Sequence, residues 1–169
     1  MNSITVKDST LQAAAEAGMD EFLKVVVDAI NTSIGGELTP ATMPLLNARQ
    51  ITLLGYDILR QEVMDGGFVQ LIHNGYGPFF FRNPFGTAMR QWGLPDLKGL
   101  MNRAQKLYQR HGAELEQDCS DEEFMALFER YPAFDDLDNQ FIENEEQWTA
   151  MVAYYVDEHL ADFVSIEEA

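Results

Sequence analysis

The chain has 169 residues, 46 % of them hydrophobic and 11 % aromatic, enough for a folded domain with a real core and too apolar for a disordered polyelectrolyte. Its 28 Asp and Glu against 11 Lys and Arg leave a formal net charge of −17, well beyond the roughly 2–8 units that solubility asks of a small domain. That balance argues against direct binding to nucleic acid or anionic membranes and makes basic proteins the natural partners.

Helical signals run from end to end. A short helix is expected around Leu11–Ala17. Phe22, Leu23, Val26, Val27, Ile30 and Ile34 form an apolar stripe at helical spacing from about Asp20, stopped by Gly35-Gly36. Thr39-Pro40 and Pro44 open a long helix that carries Leu46, Leu54, Ile58 and Val63 to about Asp65, where Gly66-Gly67 breaks it. A brief helical piece, Phe68 to His73, ends at Asn74-Gly75. The segment Tyr76–Phe81 contains a proline and lacks alternation, so an extended, packed loop is expected near 76–82. Asn83-Pro84 pairs an N-cap with a proline at the first helical position, ahead of Phe85, Ala88, Met89 and Trp92. After Gly93, Pro95 opens a helix through Leu97, Leu100, Met101, Ala104, Leu107 and Tyr108.

Ser120-Asp121-Glu122-Glu123 is a capping box followed by Phe124, Leu127, Phe128 and Tyr131, with Pro132 closing the helix. Asn144-Glu145-Glu146-Gln147 reads as a second capping box, opening a helix with Trp148, Met151, Val152, Tyr155 and Phe163 inward. Ser165 to Ala169 reads as a short free C-terminal end. The expectation is an all-α, compact single-domain bundle of roughly seven to nine helices over residues 1–169.

The charge is unevenly placed. Residues 1–112 balance ten acids with ten bases, whereas residues 113–169 hold 18 acids and a single base, Arg130. The entire net charge therefore lies in the last third, a pointer to an interaction surface. That third also carries Phe124, Phe128, Tyr131, Phe134, Phe141, Trp148, Tyr154 and Tyr155, so its carboxylates belong to a folded surface and not to a solvated tail.

Other chemistry finds little support. Cys119 stands in Asp118-Cys119-Ser120-Asp121, where carboxylates disfavour a thiolate, and one cysteine permits no internal disulfide. His73, His111 and His159 have no second His or Cys at metal-ligand spacing. Asp136-Leu137-Asp138-Asn139-Gln140 fails as a calcium loop, because Phe141 replaces the turn glycine and Gln147 the bidentate Glu; its acids are expected to serve as N-cap and turn residues. Gly66, Gly67, Gly75 and Gly77 lack the Gly-Lys-Ser/Thr ending of a phosphate loop. No cofactor, metal or nucleophile set is implied. No apolar run approaches the roughly 18 residues of a membrane span, and Met1–Asp8 has no signal pattern, so a cytoplasmic, non-enzymatic protein is expected.

Three segments carry a resemblance: Glu62–Asn74 with its Gly66-Gly67-Phe68-Val69-Gln70, Ala88-Met89-Arg90-Gln91-Trp92-Gly93, and Phe134–Phe141 with its Leu137-Asp138-Asn139-Gln140-Phe141. Together they resemble a bacterial family first catalogued as a domain of unknown function and associated with a DNA-mimic protein of about nineteen kilodaltons. Leu71 stands where that family usually has an aromatic. The resemblance implies an all-α fold, dimerisation, and binding to a DNA-binding transcription regulator in place of DNA. The mass of 19.2 kDa and the pI near 4.3 agree with it. The partner-binding candidates are Glu114, Glu116, Asp118, Asp121, Glu122, Glu123, Asp135, Asp136, Asp138, Glu143, Glu145 and Glu146. A second reading is an acidic immunity or inhibitor protein that blocks a basic enzyme such as a nuclease. A third, an enzyme with a carboxylate pair, requires a concave apolar pocket with a pKa-shifted Asp or Glu.

Overall fold

The computed structural model describes residues 4–82 and 84–168. In chain order the elements are β1 (Thr5–Lys7), α1 (Asp8–Ala17), α2 (Met19–Ser33), a 3-10 turn (Met43–Leu45), α3 (Ala48–His73), α4 (Gly77–Phe81), α5 (Phe85–Gln91), α6 (Pro95–Leu115), α7 (Asp121–Arg130), α8 (Ala133–Glu158), a second 3-10 turn (Leu160–Asp162) and β2 (Ser165–Glu167). The fold is all-α with two three-residue strands. Two compact units emerge: Met1–Asp57 with Thr149–Ala169, and Ile58–Trp148.

In the first unit, the apolar stripe of α2 buries Phe22, Leu23, Val26, Val27 and Ile30, as its spacing predicts. Leu53 and Leu54 of α3, Val152 and Val156 of α8, and Phe163 are buried too. Each such side chain contributes about 1.5–3 kcal/mol through removal from water. The buried Thr149 hydroxyl shares a 2.8 Å hydrogen bond with that of Tyr56, which settles two polar atoms inside this core. Met151, expected inward, lies on the exposed face of α8 instead.

Ser165–Glu167 is not a free end. It pairs in parallel with β1, Thr5 opposite Ser165, Val6 opposite Ile166 and Lys7 opposite Glu167. The Ser165 N–H donates to the Ile4 carbonyl at 2.7 Å, so backbone groups at both ends of the chain are satisfied by each other.

The second unit opens on the later part of α3. The expected break at Gly66-Gly67 occurs, with Gly67 out of helical geometry at φ 74°, ψ −174°, and a second helical piece runs on to His73 as the end of the kinked α3. Near 76–82 the expected extended loop is instead the helical turn α4. Pro78 sits in the first turn, where no N–H is needed for the ladder, and Phe80 and Phe81 are buried. The predicted N-cap Asn83 lies outside the described residues; α5 follows with Phe85 and Met89 buried.

α6 begins at Pro95 and buries Leu97, Leu100, Met101, Ala104, Tyr108 and Leu115 along one face. The predicted N-cap at Ser120 forms, its hydroxyl accepting the Glu123 N–H at 3.2 Å, while the Glu123 carboxylate takes the Ser120 hydroxyl, not its backbone N–H. The second box does not form. α8 starts directly after Pro132 and passes through Asn144, whose side-chain amide donates to the Gln140 carbonyl one turn back. Phe134, Leu137, Phe141 and Trp148 give an unbroken helical stripe with no breaker among them, so local capping propensity yields to burial. The same helix absorbs Asp136–Gln140, which were expected to serve as caps and turns.

Candidate protein-binding surface

All twelve predicted acids lie in the second unit, and the fold sorts them into two groups. Five are engaged by the protein itself. Glu114 of α6 accepts the Arg130 guanidinium and the Tyr131 hydroxyl, and these bonds, Tyr131 first, hold its carboxyl below the usual range. Glu116 accepts the Tyr108 hydroxyl at 2.8 Å; burial, then this carboxylate, push the Tyr108 phenol up. Glu123 accepts the Ser120 hydroxyl at 3.2 Å, and its N–H donates to that same hydroxyl. Glu145 is half-buried and 3.6 Å from Arg60.

Asp138 is the fifth. Half-buried on α8, it accepts the Phe68 N–H at 2.8 Å, just where α3 restarts after its kink. Burial pushes its carboxyl up to about 6, opposed by the Phe68 hydrogen bond and aided by the nearby Asp135 charge. A Cβ at position 67 would overlap this carboxylate, so Gly67 is needed both for its positive φ and for the close approach. Nearby, the Gln70 amide donates to Glu62 at 2.9 Å and to Asp65 at 3.1 Å, and the Asn74 amide donates to Glu62 at 2.9 Å. The Gly-Gly-Phe-x-Gln and Leu-Asp-x-x-Phe segments are thus two halves of one clamp.

The other seven, Asp118, Asp121, Glu122, Asp135, Asp136, Glu143 and Glu146, are exposed, and none enters an ion pair among the described residues. Asp121 and Glu122 occupy the first turn of α7, Asp135 and Asp136 that of α8, where the positive end of the helix dipole favours negative charge. On α8 the exposed positions Asp136, Asn139, Glu143 and Glu146 recur at helical spacing, and Asp135 flanks them. This is a row of four free carboxylates along about 16 Å of helix, at about 1.5 Å per residue. Sequence reasoning missed Glu129, exposed on α7 and seven residues from Glu122, a spacing that puts both on one face.

The grooves of this unit include one of about 390 Å³ beside Arg82, Tyr108 and Glu116, and one of about 250 Å³ beside Glu114, Cys119 and Arg130. Asp138, whose pKa is raised, lines neither. Cys119 is raised by burial and by Glu123, Asp118 and Asp121, as its acidic neighbours suggest. Among the described residues, no three His, Cys, Asp or Glu side chains are placed to hold a metal ion. No described helix is long and apolar enough to cross a membrane.

The sequence profile of the DMP19-like protein family matches residues 44–159, from the turn before α3 through the end of α8. The chain belongs to the DMP19-like family. A DMP19-like relative from Neisseria meningitidis serogroup B, described as the DNA mimic protein DMP19, is 30 % identical over 129 residues, covering 76 % of this chain and 78 % of the relative. The DMP19-like match includes both halves of the Gly67–Asp138 clamp and the whole α8 carboxylate row.

Proposed function

We propose that this protein is a DNA mimic that occupies the DNA-binding surface of a transcription regulator and thereby blocks its access to DNA. The observation that carries the reading is the row of free carboxylates on α8. A strand of duplex DNA presents one charge per roughly 3.4 Å of axis. Asp135, Asp136, Glu143 and Glu146 present one per about 5 Å, fixed on a continuous helix. Lys, Arg and helix N-termini that engage phosphates engage such a row by the same charge-assisted hydrogen bonds. Family membership and the description of the Neisseria relative support the same reading.

On this reading the protein works without covalent chemistry, metal or cofactor, in the cytoplasm where regulators meet DNA, and does not itself bind nucleic acid. It acts as a homodimer, which doubles the charged track and matches a two-fold regulator. The test is competition. A basic DNA-binding protein captured from lysate is titrated with labelled operator DNA and with this chain. Mutual exclusion is expected, and a stable ternary complex overturns direct mimicry. A captured nuclease whose turnover is inhibited would assign the surface to the inhibitor reading instead.

A further inference from the structure

The acidic row has a neighbour of opposite sign. Residues 82–110 hold six cations, Arg82, Arg90, Lys98, Arg103, Lys106 and Arg110, and one acid, Asp96. On α6, Arg103, Lys106 and Arg110 are all exposed at i, i+3 and i+7, a single row about 10 Å long. In a chain with a surplus of 17 negative charges, none of the six enters an ion pair among the described residues. Ordinary surfaces intersperse the two signs; here they are segregated. The Arg103 guanidinium donates to the side-chain oxygen of Gln140, which lies on α8 between Asp136 and Glu143. The cationic row therefore meets the helix of the anionic row at its Arg103 end, within one unit.

DNA carries no such cations. A surface that reproduced only phosphates would attract every broad basic face, because net charge steers without discriminating. We propose that the Arg103–Lys106–Arg110 row is the specificity element of the binding surface: it repels broad basic faces and admits a DNA-binding protein whose basic contact strip is narrow and bordered by acidic residues. This inference rests on the DNA-mimic reading of α8. Its physics is that of partner rejection: a like charge brought against the row costs affinity, while an acidic border on the partner gains a complementary contact. Screening confines such an effect to about one Debye length, roughly 8 Å at physiological salt, so it is local.

A fluorescein-labelled decalysine peptide serves as the broad basic probe, read by polarisation at physiological salt. The R103Q/K106Q/R110Q variant should bind it about tenfold more tightly than the native chain. The T10E/A13E/A15E variant, altered at exposed positions of α1, makes the chain equally more negative and should gain less than about threefold. Equal gains in the two variants, or no gain in the first, overturn the proposal. Adding E143Q/E146Q to the α6 variant should cancel the gain; its persistence would mean that the cations do not act on the α8 row. A different failure marks the reading beneath: if D135N/D136N/E143Q/E146Q in the otherwise native chain binds decalysine unchanged, α8 is not the docking row and both fall. Melting curves confirm that each variant remains folded.

Discussion

Residues 114–123 and residues 135–146 each carry six carboxylates. In the first stretch Glu114, Glu116 and Glu123 are held by Arg130, Tyr131, Tyr108 and Ser120, and the free Asp118, Asp121 and Glu122 lie in a loop and on one helical turn. In the second stretch only Asp138 and Glu145 are engaged. The other four stand on one long helix whose buried face fixes where they point. Equal charge density thus serves different ends. Carboxylates that meet donors inside the fold organise it, and those left facing solvent in a helical row remain available to a partner.

The largest expected effect breaks this comparison if it fails. The D135N/D136N/E143Q/E146Q variant should lose about 100-fold in affinity for a captured DNA-binding partner, about 2.7 kcal/mol, with only a small fall in melting temperature from the lost helix-dipole contacts of Asp135 and Asp136. The E114Q/E116Q/E123Q variant should do the reverse, melting earlier while keeping most of its affinity. Equal affinity losses would mean that only total charge matters.

A somewhat smaller effect tests the clamp. Gly67→Ala forces a side chain into a positive-φ position and against Asp138. A stability loss of about 2 kcal/mol is expected by chemical denaturation. Asp138 itself gives a pH-dependent effect of the opposite sign. Its folded-state pKa, about 6, lies above the ordinary 3.8, so its contribution to stability is greatest below about 3.8 and is lost as pH rises through 6. Asp138→Asn keeps an acceptor for the Phe68 N–H and removes the buried charge. The variant should therefore be more stable than the native chain at pH 7–8, by about 1.5 kcal/mol after allowing for the solvent that reaches this half-buried group, and should lack the native decline between pH 4 and 7. A native profile that rises over that interval would contradict the assignment. The smallest effect is Ser120→Ala, which removes one cap bond of α7 and should cost about 1 kcal/mol, visible as faster hydrogen exchange at Glu122–Phe124.

Much of this was legible in the sequence because it is local. The α2 stripe with its Gly35-Gly36 stop, the Pro95 start and the Ser120 N-cap depend on neighbours a turn apart, and they form as their patterns predict. What escaped depends on partners far along the chain. Asn144 has the form of a cap but lies inside a helix whose buried stripe outweighs it. Ser165–Glu167 has no apolar pattern of its own and is ordered by a strand some 160 residues earlier. Among the acids, composition located the charged third but could not distinguish Asp138 from Asp136. The distinction rests on the kink at Gly67, 71 residues away, which points a backbone N–H at one carboxylate and not at the other.

The two-ended construction of the first unit has a consequence for biosynthesis. Residues 1–57 leave the ribosome before residues 58–148, yet their unit also needs Val152, Val156, Phe163 and the β2 strand, which follow both. Residues 58–148 form a contiguous unit and can consolidate while translation continues, in the manner of a domain folding vectorially. Until residues 149–167 have emerged, α1 and α2 present Leu11, Phe22, Val26 and Ile30 without their full cover. A ribosome that stalls after residues 58–148 have emerged, but before 149–167 have done so, would thus display a nascent chain that is sticky at its leading end, a natural client for chaperones, with the unit bearing the acidic row free to fold behind it.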